Sequence, residues 1–503
     1  MIFPLRIAEP DQFALARDFL ARASYDEPTL GRTLNIKDMG EFGHIEWDRV
    51  RFDTLPEALR WCINIFACGA PVGEDDSRAV CGEAAFTAFT ALGLLHPARK
   101  KGSVICPVWL YPVDGFILAS DLCHGLEGEP YAAIPDVVFP AIYSGTLRFL
   151  KLLPACREGE ALDLCGGTGI GALHLSRTAR AAATADVTAR AAHFAAFNAR
   201  LNAAPIAGFC GDLYHPVHDR QFDLISAHPP FVPATGQTMV YRDGGDTGEE
   251  IIRRIVQGLP LHLRSGGTCM ILCVARDTRE QTFEQRAQHW LGAAAKEFDV
   301  VFGLEHVMSV QEVVDSIRKR QPQFTAEAAK DLSARLNSLD TRQFVYGALV
   351  IRRDGPTANN GEAPGRIHLT DKGEARDFER LLAWRNRCRL PGFNEWLANS
   401  RPRLASNLQL TVRHEVRDRR LVPAEFMFSV EAGFQAALRL EGWIVPLVAR
   451  LEGRASVAGV IDAARKADEL PDGFRLEKFL ELVQMMIARG FLEVDFAESS
   501  ATR

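Results

Sequence analysis

The chain has 503 residues, 47% hydrophobic and 24% charged, the balance of packed globular domains and not of a disordered, collagenous or coiled-coil chain. At roughly 100 to 200 residues per domain, that length predicts two to four domains. Lys and Arg number 58 against 64 Asp and Glu, so the net charge is −6 and any binding to nucleic-acid phosphates would have to be local.

The first predicted element is an amphipathic helix over residues 11–25, with Phe13, Ala16, Phe19 and Leu20 on one face behind a possible Asp11 cap. Helical patterns follow at Leu55 to Ala67 and Ser77 to Leu95. Two β-like runs come next, Val104 to Tyr111 and Gly115 to Ser120, joined by Pro112-Val113-Asp114. Helices followed by a hairpin predict a winged-helix-like module over residues 1–129. A DNA-recognition helix needs basic residues, yet Ser77 to Leu95 holds only Arg78, so a substrate-gating or scaffolding role is the better expectation.

From about residue 130 to 354, strands and helices alternate: strand Glu160 to Cys165, helix Gly171 to Arg180, strand Ala182 to Asp186, helix Ala189 to Asn202, strand Phe222 to Ala227. Further strands read at Thr268 to Val274, Val300 to Leu304 and Gln343 to Arg352. Such alternation with short turns predicts a parallel sheet with crossover helices. A Gly-, Pro- and Asn-rich stretch marks a linker at 355–366. Beyond it, Leu381 to Arg420 carries nine Arg, no Lys and three acids, a local net charge of +6. That stripe could grip phosphate or carboxylate, or simply solvate a surface. The remainder, 367–503, predicts helices ending in a Gly490-stopped helix and a short strand, again winged-helix-like.

Eleven cysteines lie scattered in apolar contexts with no Cys-x-x-Cys spacing and no Cys/His quartet, which reads as reduced core thiols without a metal site. No basic stretch followed by an apolar run opens the chain, and no run of about 18 apolar residues occurs in it, so the expected location is cytoplasmic and away from membranes.

Chemistry concentrates in the middle domain. Asp163-Leu164-Cys165-Gly166-Gly167-Thr168-Gly169-Ile170-Gly171 ends a strand and opens a helix, and its glycines permit a tight turn and close backbone approach by a ligand. The next strand ends at Asp186, where an acid can accept ribose hydroxyls, with Val187 beside it. The third ends Cys210-Gly211-Asp212-Leu213, offering a second acid for an adenine amino group. The fourth runs into His228-Pro229-Pro230-Phe231, and two successive prolines remove two donors and force an extended, rigid turn.

These motifs, in this order, resemble class I S-adenosylmethionine-dependent methyltransferases. The similarity is to the branch with an Asn-Pro-Pro-Tyr or Asn-Pro-Pro-Phe motif, which includes release-factor glutamine methyltransferases and small-domain RNA methyltransferases. Tyr241 to Gly248 matches a Gly-rich loop that glutamine methyltransferases carry. The resemblance implies a Rossmann-like seven-stranded sheet over 130–354 that binds S-adenosylmethionine through Asp163, Cys165, Gly166, Gly167, Gly169, Asp186, Val187, Asp212 and Leu213. It places His228, Pro229, Pro230 and Phe231 at the methyl acceptor. His228 departs from the family's Asn and could act as a general base or orient the acceptor. Phe231 keeps an aromatic face for the sulfonium. Cys165 replaces the first glycine as a small buried filler.

The expected acceptor is a nitrogen or oxygen of a small-molecule or peptidyl substrate. Less favoured are a nucleic-acid methyltransferase gripping through Arg385 to Arg420, a cofactor-sensing DNA-binding regulator, and a cyclase that releases methylthioadenosine.

Overall fold

A computed structural model describes residues 3–130, 134–234, 239–321, 324–355 and 363–495. It is a mixed α/β protein whose chain divides into two compact units. The first comprises Met1–Ala294 with Met308–Leu349, and the second Ala295–Val307 with Val350–Arg503.

The first unit opens with a helix over Pro10–Arg22. Its N-cap is Glu9, without a side-chain cap bond, so Pro10, whose fixed φ suits a first helical residue, starts the helix in place of an Asp11 cap. The helix expected over Ser77 to Leu95 is two, Glu74–Cys81 and Glu83–Ala91, because Gly82 at φ +76° takes a conformation that a helix cannot continue through. The β-like run Val104 to Tyr111 also divides. Ser103–Ile105 joins a small three-stranded sheet, while Trp109–Val113 (β1) pairs antiparallel with Phe116–Ser120 (β2). The turn between them is Asp114-Gly115, both at positive φ (+51° and +71°), the two-residue geometry that matches strand twist.

The helix Ser144–Leu152 (α1) then leads into alternating elements: β3 Glu160–Leu164, α2 Ile170–Leu175, β4 Ala181–Asp186, α3 Ala189–Leu201, β5 Ile206–Cys210, β6 Phe222–Ala227, α4 Glu250–His262 and β7 Leu263–Thr278. Strands β3, β4, β5, β6 and β7 pair in parallel, as the alternation predicts, in the spatial order β7-β6-β3-β4-β5. Their apolar runs are buried, with Leu162, Leu164, Ile225 and Ala227 at 0% exposure.

In the second unit, Phe298–Met308 (β8), which leaves that unit at Met308, pairs in parallel through Val301 to Leu304 with β10 (Gly365–Leu369), and Thr341–Arg353 (β9) runs from the first unit into the second. The expected linker at 355–366 falls partly outside the described residues, at 356–362, and its end is already β10. Helix α5 (Ala375–Arg389) follows. An antiparallel meander then comes next, of β11 Gln409–Arg417, β12 Arg420–Glu431 and β13 Phe434–Leu440, with β13 against β10. A separate core forms around Trp384, Leu397, Val460, Phe479 and Val483. The last helix, Leu476–Ala488, stops before Gly490 at φ +78° and leads to a short strand at Leu492–Glu493.

The Arg-rich segment is no continuous stripe. Arg385 and Arg389 both pair at 2.9 Å with Asp299, which is fully buried; Arg403 pairs with Glu493, and Arg413 with Glu425. Among the described residues no helix is long and apolar enough to cross a membrane, and no group of three or more His, Cys, Asp or Glu could hold a metal ion.

Candidate active site

Strand order locates the site. The chain moves from β3 outward through β4 to β5, then returns to β6 on the other side of β3. Open α/β sheets bind ligands in the crevice at such a reversal, outside the carboxyl ends of the strands. Leu164 at the end of β3 is in register with Ala185 on β4 and with Ala227 on β6. Cys165 to Gly169, Asp186 with Val187, and His228 therefore leave the sheet side by side. Asp186 is in turn in register with Cys210, which leads to Asp212 and Leu213.

The glycine-rich turn is held by its own backbone. Gly169 N–H donates to the Gly166 carbonyl at 2.7 Å, and Gly166 N–H to that of Ala185 at 3.2 Å. Gly169 sits at φ +82°, where a Cβ would lie 3.0 Å from the Ala195 methyl, so helix α3 packs on this position. Gly167, at φ +54°, differs: a Cβ there would meet nothing within 4 Å. Its outer face is the open side of the cradle.

The acids divide by role. Asp163 is 2% exposed and accepts from Ser226 Oγ at 2.8 Å and from the Ala172 N–H, so it ties β3 to β6 and α2 beneath the turn instead of facing the crevice. Burial pushes its carboxyl up to about 7. Asp186 accepts from Gly167 N–H at 3.0 Å and from Thr188 N–H at 3.0 Å. Burial raises its carboxyl above the ordinary value even so. Its Oδ1 also takes the Thr188 hydroxyl at 3.2 Å, while Oδ2 lies on the Gly167 N–H, and this carboxylate beside the open face of that glycine makes a cradle that fits a ribose-bearing cofactor. Asp212 is half-exposed and pairs with Arg254 at 2.5 Å, so its carboxylate is already engaged. Val187 is exposed, and Leu213 is buried at φ +49°. Cys165 sits at φ +58°, and burial holds its thiol well above the usual range, consistent with an inert filler.

On the other side of the crevice, His228 lies against Phe149 of α1, ring centroids 5.6 Å apart and 23° from parallel, and against Phe231 at 5.9 Å. Helix α1 approaches so closely that a Cβ on Gly145 would stand 3.4 Å from Cε1 of His228. Among the described residues none hydrogen-bonds to the ring nitrogens. Burial lowers the imidazole to about 4, so it is neutral at physiological pH.

The segment after Phe231 is pinned by the Gly-rich loop. Val232 N–H donates to Arg242 O at 3.0 Å, Gly244 N–H to Val232 O at 2.9 Å and Ala234 N–H to Gly245 O at 2.8 Å. The loop is anchored at the start of α4 by Glu249, 3% exposed, which accepts from Arg276 N–H at 2.7 Å and from Arg286 at 2.6 Å.

Sequence reasoning missed Gly145, Phe149 and Glu249. It missed as well the exposed ring stack in which Phe139 lies 4.7 Å from both Tyr143 and Tyr241. The one signal for the first two was an amphipathic turn, Ser144 to Leu152, ahead of β3. No local pattern announced the others.

The comparisons with known proteins agree with this geometry. The family model described as methyltransferase small domain matches residues 140–301. A protein N5-glutamine methyltransferase of Methanocaldococcus jannaschii is 30% identical over 154 residues, covering 29% of this chain and 77% of that protein. The release factor glutamine methyltransferase of Geobacter sulfurreducens is 27% identical over 31% of this chain and 58% of its own. The ribosomal protein uL3 glutamine methyltransferase of Bradyrhizobium diazoefficiens is 29% identical over 35% of this chain and 63% of its own. The matched part thus spans less than two thirds of the latter two relatives. A parallel sheet reversing beside a glycine-rich turn, the His-Pro-Pro-Phe segment across the crevice, and relatives matched through this same region lead to one assignment: the chain belongs to the class I S-adenosylmethionine-dependent methyltransferases of the small-domain type.

Proposed function

We propose that this enzyme methylates a side-chain nitrogen of a peptidyl substrate presented at the crevice between β3 and β6. The observation that carries the reading is His228, neutral and set against Phe149 and Phe231 at the carboxyl end of β6. S-adenosylmethionine supplies a methyl group activated on a sulfonium sulfur. The chain's contribution is then mainly alignment in a water-poor pocket. Gly167 lets the backbone approach the cofactor while Gly166 and Gly169 let the turn close against Thr184 and Ala195 beside it, Asp186 receives its ribose hydroxyls, and Asp212, with Val187 and Leu213 nearby, lies on the adenine side.

His228 replaces the family's Asn. As a neutral imidazole it can accept a hydrogen bond from the acceptor's N–H and aim the nitrogen lone pair, and it adds no second positive charge beside a sulfonium. A proton affinity near 4 makes it a weak base at neutral pH, which favours orientation over proton abstraction before bond formation. Pro229 and Pro230 hold His228 and Phe231 rigidly. A peptidyl acceptor agrees with what the relatives' names say of those proteins. The domain reading that goes with it is a winged-helix-like module over 1–129 that walls or recognises the acceptor, a seven-stranded cofactor domain over 130–354, a linker at 355–366 and a winged-helix-like module over 367–503, with the protein acting in the cytoplasm. The engagement of Arg385, Arg389, Arg403 and Arg413 by acids weakens the case for a nucleic-acid grip.

Labelled cofactor incubated with fractionated extract tests the acceptor. Label should enter protein; label in RNA, or release of methylthioadenosine, would overturn the reading. His228→Asn tests the role: orientation predicts near-normal cofactor affinity, much of the rate retained, and in the unsubstituted enzyme an acidic limb near pH 4. A loss of roughly 10² to 10⁴ in turnover, with a limb near 6.5, would instead make His228 the general base.

A further inference from the structure

One side chain of α3 bonds both to the N-terminal hairpin and to the glycine-rich turn. Asn198, on α3, is 0% exposed. Its Oδ1 accepts from Ala119 N–H at 2.8 Å, and its Nδ2 donates to Ala119 O at 3.0 Å and to Thr168 O at 2.9 Å. The amide therefore occupies the free edge of β2 as a neighbouring strand would. Its second N–H is left for the carbonyl between Gly167 and Gly169. The Ala119 N–H and C=O together fix which end of the amide is oxygen, so the donor on Thr168 is not ambiguous.

One helical turn on, Asn202 repeats the pairing with the hairpin alone. Ile117 N–H donates to its Oδ1 at 2.8 Å, and its Nδ2 donates to Ile117 O at 2.7 Å. Residues four apart share a helix face, which is why both amides meet one strand edge at alternate residues. Asn202 makes no bond to the turn; its remaining donation goes to Asn198 O at 2.8 Å.

We infer that Asn198 is a positioning residue that couples docking of the N-terminal hairpin to the shape of the cofactor turn. Thr168 is 3% exposed, so its carbonyl has little access to water, and Asn198 sets the plane of the Thr168–Gly169 peptide, whose N–H closes the turn on Gly166 O. Without that donor a buried carbonyl is left unpaired, and the peptide is free to rotate next to Gly167. Whatever displaces the Ala119 edge that seats Asn198 loosens the cradle. By linkage, cofactor binding tightens the hairpin by the same factor. The inference rests on the glycine-rich turn being the cofactor cradle.

The test compares two substitutions of similar structural cost. Asn198→Ala and Asn202→Ala should both lower the melting temperature, since each removes the hairpin's edge bonds. Only Asn198→Ala should weaken S-adenosylmethionine binding by calorimetry, about fivefold to tenfold, the loss of one buried hydrogen bond. Asn202→Ala should stay within about twofold. Equal weakening by both, or unchanged affinity in Asn198→Ala, would overturn the inference. Should Asn198→Ala fail to fold, the unsubstituted chain decides: saturating cofactor should slow amide exchange at Ala119, and an unchanged rate sinks the coupling. Gly167→Val separates this from the underlying reading. A variant that binds cofactor normally would show that the turn is not the cradle, whereas loss of binding in Gly167→Val with normal binding in Asn198→Ala would remove the coupling alone.

Discussion

Two hairpins in this chain share a turn and little else. β1–β2 turns through Asp114 and Gly115 at φ +51° and +71°; β11–β12 turns through Asp418 and Arg419 at φ +49° and +61°. Around the first, Leu110, Tyr111, Val113, Leu118 and Ala119 are all at 0% exposure. Tyr25 donates to Leu110 O at 2.8 Å, and the Asp114 carboxylate accepts from His174 at 2.8 Å and Arg177 at 2.7 Å. At the tip of the second, Val416 and Leu421 face each other at 75% and 71% exposure, and the strands are laced by surface ion pairs such as Arg413 with Glu425. Local turn chemistry makes a hairpin. Whether it becomes scaffold or arm depends on partners for its free edge, which Asn198 and Asn202 supply to β2 and which β11, the edge strand of its sheet, lacks among the described residues.

Matched substitutions sharpen that contrast, and the largest effect belongs to the core of the first hairpin. Leu118→Ala should cost about 2 to 5 kcal/mol in urea unfolding, the range for a truncated core leucine, and should weaken cofactor binding along with it. A cost below about 1 kcal/mol would mean that the hairpin is not integral to the unit. Asp114→Ala should cost about 1 to 3 kcal/mol through the lost bonds to His174 and Arg177.

The same carboxylate predicts a pH dependence. Burial raises it, but His174 and Arg177 outweigh burial and hold it below the ordinary value. A lowered native value means that its contribution is present above the unfolded value of about 3.9 and is lost as pH falls through the native one. Asp114→Asn should flatten that part of the acid limb in midpoints measured between pH 2 and 6. An unaltered limb would assign the acid sensitivity elsewhere.

The turns themselves should respond with opposite signs. Gly115→Ala puts a Cβ at positive φ and 3.1 Å from the Arg177 guanidinium, and should destabilise by about 1 kcal/mol. Arg419→Gly relieves the same conformation and should stabilise by up to about 1 kcal/mol. Thermal unfolding of the pair decides it, and two changes of equal sign would contradict a shared turn geometry. The smallest effect is expected from Leu421→Ala, within about 0.5 kcal/mol, because the side chain is already in water. A larger loss would reveal a covered face.

Much of this molecule was legible in the sequence. Residues 160–227 alternate apolar strand and amphipathic helix so regularly that β3, β4 and β6 lie within a residue or so of their expected limits. The glycine-rich turn, Asp186 and His228 could be named because strand ends and turn residues are local features. Other features were set by partners far away in sequence. Asp163 was expected at the cofactor, and its carboxylate is held by Ser226, 63 residues away. The arginines of 385–420 read as one stripe, but helix α5 turns Arg385 and Arg389 onto Asp299, while Arg413 lies on a strand.

What the sequence determined by itself was periodicity, turns and the order of motifs, because these depend on dihedral preferences and side-chain spacing within a few residues. Tertiary structure decided which groups are neutral, paired or exposed. The low proton affinity of His228 comes from burial against Phe149, an element that precedes β3. The Thr168 carbonyl of the glycine-rich turn is met by Asn198, which also bridges to Ala119, 79 residues earlier. Desolvation and hydrogen-bond partners are properties of assembled surroundings, and no window of sequence contains them.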